Sequence, residues 1–562
     1  MAAREEGPAR QPLSVAVIGA GAAGLVAARE LLREGHRVSV FEKSPSVGGV
    51  WVYTDEVEDD PLGVAPGRHQ VHGSMYANLR TNLPREVMGF SDFPFDANFP
   101  GSQDNRQFCS HDEVLRYLEA FARWFDLLRV VQTQTEVISV RPVEDGSASS
   151  AAGSALALAS AAHLEHAQRS GSGTNGDLPQ PAAGAGSNSS SSSGNSRSRW
   201  EVTVRKADGA RDGSCATAAA QASPAGQANG NSHQNGIEEG QGAGASRELF
   251  DAVVVCNGHY AEPRVPPFPG QAVFPGLQMH SHNYRKPEPF AGQTVLLVGA
   301  ASSGVDIAQE LAKHDARVYL CARVWENPLT GEALDLDTSS AEAAMPGEVT
   351  KAANIRELHA DGSVTLESGA VVPRVDMVMY CTGYYYCFPF LEGTGIVTVA
   401  DNRVAPLYRH VFPPAHAPYL SFVGLPWKVV PFPQMELQSR WIGRALSGRA
   451  ELPSAEEMEA ATKRFYVELE AQGVAPRYTH RQAGELQWQY NDALAEACGA
   501  DVPHQPAWRK ALYNACGNSR KLHGDAYRDE PLRGVAKEEE EARREAEALW
   551  AAAEVQRGKQ LS

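Results

Sequence analysis

Val15-Ala16-Val17-Ile18-Gly19-Ala20-Gly21-Ala22-Ala23-Gly24 is an apolar run that breaks into a glycine-rich turn. The turn leads into Leu25, Ala28, Leu31 and Leu32 at helical spacing. A strand, a tight turn and a helix in that order bring free backbone N–H groups and the positive end of a helix dipole against a pyrophosphate. Glycines suit such a turn because a Cβ would hold the backbone away from the ligand. The next apolar segment, Val38-Ser39-Val40-Phe41, ends in Glu42 and Lys43, with the acid 18 residues beyond Gly24. An acid at that distance is placed to take ribose hydroxyls. Gly19, Gly21, Ala22, Ala23, Gly24 and Glu42 are therefore candidate nucleotide-binding residues.

The layout recurs once. Val295-Leu296-Leu297-Val298 runs into Gly299-Ala300-Ala301-Ser302-Ser303-Gly304, and Val305, Ile307, Ala308 and Leu311 open the following helix. After the strand Val318-Tyr319-Leu320, the position 18 beyond Gly304 is Ala322, and Arg323 follows. An uncharged residue followed by Arg suits a 2′-phosphate, which a carboxylate would repel. The second cradle thus favours NADPH over NADH, with Gly299, Ser302, Ser303, Gly304 and Arg323 as its binding residues. Ala301 stands where the first cradle has its middle glycine, which predicts a pyrophosphate held slightly further from the backbone. Two such units make an α/β chain with two Rossmann-like dinucleotide-binding domains, and two bound dinucleotides can exchange a hydride.

The rest of the composition narrows the class. At 562 residues the chain can hold two or three domains with full cores. Its formal net charge of −17 argues against nucleic acid or an anionic membrane as the main partner. No apolar stretch approaches the roughly 20 residues that cross a bilayer. The N-terminus carries two Glu and no apolar signal core, so a cytoplasmic protein is expected. Eight cysteines occur, none in a CxxC pair and none at zinc-ligand spacing. They read as small core residues, without the paired thiol a two-dinucleotide disulfide reductase needs and without a metal site.

Positions 145–198 and 207–246 are rich in Ser, Gly, Ala, Asn and Gln, with too little apolar surface to offset ordering entropy. They read as disordered insertions in the loops of a small sheet, because Trp200-Glu201-Val202-Thr203-Val204 between them alternates like a strand. Leu249 to Val255 reads as one further strand. The end, from about Lys537, is dominated by Glu, Arg and Ala and reads as a solvated helix.

Between the cradles stands Phe274-Pro275-Gly276-Leu277-Gln278-Met279-His280-Ser281-His282-Asn283-Tyr284-Arg285. The spacing FxGxxxHxxx(Y/F)(K/R) resembles the fingerprint of the flavin-containing monooxygenases. Gly48-Gly49-Val50-Trp51 resembles that family's GG-x-W turn, and Thr81-Asn82-Leu83-Pro84-Arg85 resembles its segment carrying an active-site Asn. Cys256-Asn257-Gly258-His259-Tyr260 and Cys381-Thr382-Gly383-Tyr384 look like its two interdomain linkers. Within the family the chain is most similar to the plant-type S-oxygenating members, on HSHNYR, VVVCNGHYAEPR and Leu420-Ser421-Phe422-Val423-Gly424-Leu425-Pro426.

The resemblance implies FAD in the first cradle, with Lys43, Gly49, Val50, Trp51, Asn82, Thr382 and Gly383 added to the cofactor contacts. It implies a FAD domain in two parts, 12–278 and 379–535, an NADPH domain at 279–378 and a charged tail at 536–562. NADPH would reduce FAD, the flavin would take up O₂ as a C4a-hydroperoxide, and sulfur or nitrogen of a small molecule would attack the distal oxygen. Asn82 is the catalytic candidate, since a neutral amide can hydrogen-bond the hydroperoxide without protonating it. His280 and Tyr284 read as shaping the domain junction and the NADP⁺ site. A homodimer is compatible with the chain. A Baeyer–Villiger enzyme is disfavoured by Tyr284, where that family's fingerprint places Trp. An N-hydroxylase or oxidative decarboxylase, a peroxide-releasing NADPH oxidase and a non-catalytic nucleotide-binding protein stay open as rivals.

Overall fold

The computed structural model describes residues 11–143, 199–206, 245–325, 345 and 347–560. Two five-stranded parallel sheets organise them. In the first, the strands run in the order Leu420–Phe422, Ala252–Val255, Ser14–Ile18, Arg37–Phe41 and Val131–Gln132. In the second, the order is Val349–Ala353, Arg317–Ala322, Thr294–Val298, Met377–Tyr380 and Leu277–His280. The strand that enters each cradle lies in the middle of its sheet, which explains its composition. SVAVI and TVLLV are each buried over their last four residues, because helices and sheets cover both faces of a parallel sheet.

The helices Ala22–Arg33 and Ser302–Lys313 follow the two turns. The first packs with His111–Trp124 and Pro431–Ser447 in one continuous apolar core, to which Leu25, Leu31, Leu118, Phe121, Leu437 and Trp441 contribute. The second sheet is built from chain that leaves the first sheet after Val255 and returns to it at Leu420. Its outer face is covered by a small antiparallel sheet, Ile355–Leu358, Val364–Leu366 and Val371–Val372. No described helix is long and apolar enough to cross a membrane.

Three sequence expectations need correction. Leu249 to Val255 is not one strand. Ala245–Phe250 pairs antiparallel with Arg199–Lys206, while Ala252–Val255 joins the parallel sheet. Asp251 divides them because its carboxylate takes the N–H of Ser14 at 2.7 Å and its hydroxyl at 2.8 Å, turning the chain from one sheet to the other. Residues 145–198 and 207–244 lie outside the described residues, but Ala245 and Ser246, assigned to the second insertion, already belong to that strand. The C-terminal helix Ala536–Gln560 is solvated on one face only. Ala542 and Ala546 are buried, the Trp550 ring meets Phe93 and Trp124, and its Nε1 donates to Asp96 at 3.1 Å.

Candidate functional site

The two cradles are superimposable in their constraints. Gly19 and Gly299 have φ of 98° and 108°, in the left-handed region that favours glycine. A Cβ on Gly19 would stand 2.6 Å from the carbonyl oxygen of Cys256, and one on Gly299 would stand 2.6 Å from that of Cys381. A Cβ on Gly24 or Gly304 would lie 1.8 or 1.9 Å from the carbonyl oxygen of Gly19 or Gly299. The first helical hydrogen bonds are Leu25 N–H to Gly21 and Val305 N–H to Ala301. The amides of Ala22, Ala23 and Gly24, and of Ser302, Ser303 and Gly304, therefore precede the helical ladder. Neither helix has a capping side chain or an acid in its first turn. Both N-termini fit a pyrophosphate.

The cradles differ where their nucleotides would differ. Glu42 is buried, and its carboxylate accepts from the N–H of Ala20 at 2.7 Å and of Ser44 at 2.8 Å, so its oxygens are anchored beside the first turn. Lys43, next in the chain, points to solvent. The turn at Gly48–Trp51 lies directly on this cradle. Gly48 N–H donates to Ala20 at 3.0 Å, and a Cβ on Gly49 would meet Gly21 Cα at 2.9 Å. Val50 and Trp51 are half-buried there, with the Trp51 ring edge-on to Phe432. Ala301 has φ −83° and ψ −174°, against −77° and −169° for Gly21, so its methyl group leaves the turn's backbone unaltered. Ala322 stands where Glu42 stands in the first domain, and Arg323, one residue on past the strand Arg317–Ala322, is exposed.

Asn82 sits on a segment of the first domain, held by Thr81 N–H to the Cys109 carbonyl at 2.8 Å and by Leu83 against that domain's core, and it faces the second cradle. Its Nδ2 is 3.4 Å from the hydroxyl of Ser302 on the second cradle, and its side chain is exposed. Its carbonyl accepts from Arg520 at 2.8 Å, and that of Thr81 accepts from Arg528 Nε at 2.9 Å. Arg528 also pairs with Asp306 on the second cradle helix, and Tyr76 approaches the same carboxylate at 3.3 Å. One turn on, Glu310 accepts from Tyr284 at 2.7 Å and from Asn78 at 2.5 Å. Burial and the Glu310 carboxylate raise the Tyr284 phenol far above its usual range, so it stays a donor. Arg520, Arg528, Asp306 and Glu310 were absent from the sequence reading. So was Glu86, whose Oε2 is enclosed without a partner among the described residues and whose carboxyl burial pushes up to about 7.

The linkers cross at Thr382 and Gly383. The Thr382 carbonyl accepts from Arg264 at 2.6 Å, its hydroxyl donates to the Arg264 carbonyl, and Gly383 accepts from His280 Nε2 at 3.1 Å. His280 Nδ1 accepts from the N–H of His282, so the ring is neutral with its proton on Nε2. Burial, reinforced by His282, lowers its pKa to about 3. In this arrangement Thr382 and Gly383 tie the linkers together through their own polar groups. Among the described residues no cysteine is paired, and all but Cys387 are buried.

The sequence model of the flavin-binding monooxygenase-like family matches residues 13–154, 221–327 and 335–504. The chain is 42% identical over 521 residues to flavin-containing monooxygenase FMO GS-OX-like 4 of Arabidopsis thaliana, covering 92% of this chain and 93% of that one. It is 40% identical over 521 residues to FMO GS-OX5 of the same plant, covering 92% and 91%. Among solved structures, the S-allyl-L-cysteine S-oxygenase of Allium sativum superposes with a TM-score of 0.74 at 39% identity, over 96% of this chain and 99% of that one. The paired cradles, the linkers that cross between them and these matches along nearly the whole chain agree, and the protein belongs to the flavin-binding monooxygenase-like family of FAD-dependent enzymes.

Proposed function

We propose that the protein is an NADPH- and O₂-dependent S-oxygenase of small thioethers. The observation that carries this reading is the position of Asn82, on a segment of the first domain with its amide 3.4 Å from the second cradle's Ser302. A residue there stands where two dinucleotides bound end-on would meet. The amides at Ala22–Gly24, with Glu42 and the Gly49–Trp51 turn, would hold FAD. Those at Ser302–Gly304, with Arg323 at the 2′-phosphate, would hold NADPH. Reduced FAD supplies the activated oxygen that a soft sulfur takes up.

The chain's own residues then have three tasks. Asn82 presents an amide N–H that can hydrogen-bond the reacting oxygen without giving up a proton. The Arg520 and Arg528 contacts to the carbonyls of Asn82 and Thr81 keep that amide in place. The neutral His280 on Gly383, Asn78 on Glu310 and Arg528 on Asp306 hold the second domain against the first, which would exclude water from the meeting point. The similarity to the S-allyl-L-cysteine S-oxygenase of Allium sativum supports sulfur over nitrogen as the acceptor.

The test is product stoichiometry. With NADPH, O₂ and a methyl thioether, sulfoxide is expected in nearly one-to-one ratio to NADPH consumed, and Asn82→Ala is expected to lose sulfoxide while still oxidising NADPH. Peroxide as the sole product of the unaltered enzyme would establish the oxidase reading instead. N-oxide from a tertiary amine at a higher kcat/KM than any thioether would move the acceptor to nitrogen.

A further inference from the structure

Three exposed cationic side chains, Lys428, Arg481 and Arg520, lie on elements that meet near Asn82: Val430 packs with Leu512 and Cys516 of the helix that carries Arg520, and the Cys516 thiol reaches the Asn82 carbonyl at 3.6 Å. Arg520 donates to the Asn82 carbonyl at 2.8 Å and to the Tyr527 hydroxyl at 2.9 Å, and its guanidinium lies over the Tyr527 ring. Trp427 exchanges backbone hydrogen bonds with His480 and Gln482, both 3.0 Å, which sets Lys428 beside Arg481. No carboxylate among the described residues pairs with Lys428, Arg481 or Arg520. Other arginines of the region are matched: Arg477 to Asp401, Arg403 to Glu470 and Arg528 to Asp306. In a chain with 68 acidic and 51 basic residues, leaving these three unmatched concentrates positive potential at one place.

The local structure holds the arrangement at some expense. Lys428 has φ of 59°, a left-handed conformation unusual for a lysine, and its loop is pinned on the far side by Val430 N–H to Gln487 Oε1 at 2.9 Å. Gln487 is fully buried, and its Nε2 donor has no partner among the described residues. Desolvation, and after it the charges of Arg481 and Arg520, lowers the Lys428 pKa.

We propose that Lys428, Arg481 and Arg520 receive an anionic group on the substrate, such as a carboxylate, and so orient its thioether toward Asn82. The proposal rests on the S-oxygenase reading for the identity of the reacting atom, but not for the anion site. NADPH does not account for the cluster as readily. The second cradle offers its own amides to the pyrophosphate, and Arg323 stands at the strand end for the 2′-phosphate. Sulfoxidation leaves the charge of the carboxylate unchanged, so the site contributes equally to ground and transition states and acts on KM more than kcat.

Calorimetry on the enzyme loaded with FAD and NADP⁺ tests the site without turnover. Pentanoate is expected to bind about tenfold more tightly than pentanamide, and Lys428→Met or Arg481→Gln is expected to remove most of that preference while leaving pentanamide unmoved. In turnover, the same variants should raise KM for methylthiopropanoate and leave both kcat and the KM for its amide within about twofold. Equal binding of the acid and the amide, absence of binding by either, or a loss that falls on NADP⁺ affinity instead would overturn the proposal. Preference for pentanoate in an enzyme that oxygenates neither thioether would uphold the anion site and sink the S-oxygenase reading.

Discussion

Arg528 holds Asp306 through two guanidinium nitrogens, at 2.6 and 3.1 Å. Its third nitrogen donates to the Thr81 carbonyl beside Asn82. One side chain, Arg528, therefore fixes both the segment carrying Asn82 and the helix of the second cradle. Both partners are largely buried, at 12% and 20% side-chain exposure, so screening is limited and an orphaned partner is costly. Arg528→Ala is expected to raise KM for NADPH by about tenfold and to lower stability by roughly 1–3 kcal/mol. A double-mutant cycle with Asp306→Asn should return a coupling of about 1 kcal/mol or more. Additive effects, with KM for NADPH unchanged, would show that the pair plays no part in joining the domains.

The glycines of the cradles differ sharply in what they tolerate. At Gly24 a methyl group would sit 1.8 Å from a backbone oxygen, which no side-chain movement can relieve. Gly24→Ala is expected to yield protein without bound FAD, seen as loss of flavin absorbance in the purified enzyme. Gly258 has positive φ, 74°, but nothing lies within 4 Å of its added Cβ. Gly258→Ala should cost only about 1 kcal/mol of backbone strain and keep its flavin. Equal flavin content in the two variants would refute the packing argument.

Ala301 gives the converse test. Its backbone already matches that of Gly21, so Ala301→Gly removes a methyl group without relieving any strain. The variant is expected to lose about 0.5–1 kcal/mol of stability through the unfolded chain and to keep its KM for NADPH. A markedly lower KM would mean that the methyl group does hold the pyrophosphate off, as the sequence reading anticipated.

How far the sequence carries depends on whether a signal is contiguous. Each cradle is a strand, a turn and a helix within 20 residues, so local pattern suffices, and Glu42 against Arg323 can be compared by counting. The groups that fix Asn82 cannot be found that way. Arg528 acts on Thr81 across 447 positions, and Arg520 acts on Asn82 across 438. Asp306 and Glu310 are polar residues one turn apart on an amphipathic helix, indistinguishable in sequence from a solvated face until Arg528, Tyr76 and Tyr284 are brought against them. Asp251 likewise looked like an interruption in one strand, because only the pairing with Ser14 reveals two sheets.

His410 and His480 are both buried, with their Nδ1 atoms 3.0 Å apart. His480 Nε2 accepts from the N–H of Val404 at 3.1 Å, so its proton resides on Nδ1 and is donated to His410 Nδ1. Neither ring can gain a proton without breaking this relay. Burial lowers the His410 pKa from 6.5 to about 4, and burial together with His410 lowers that of His480 further. Between the unfolded value and the folded one, the unfolded chain binds the extra protons, so stability is full above about pH 6.5 and falls as the pH drops toward about 4. His259, also lowered to about 4, adds to the same slope. Thermal melts from about pH 7 to about pH 4 should show a steep loss of midpoint, and His410→Gln should flatten that slope even where it lowers the midpoint at neutral pH. A slope identical in the two proteins would show that the pair is solvated or already charged in the native state, and the tautomer assigned to His480 would have to be abandoned.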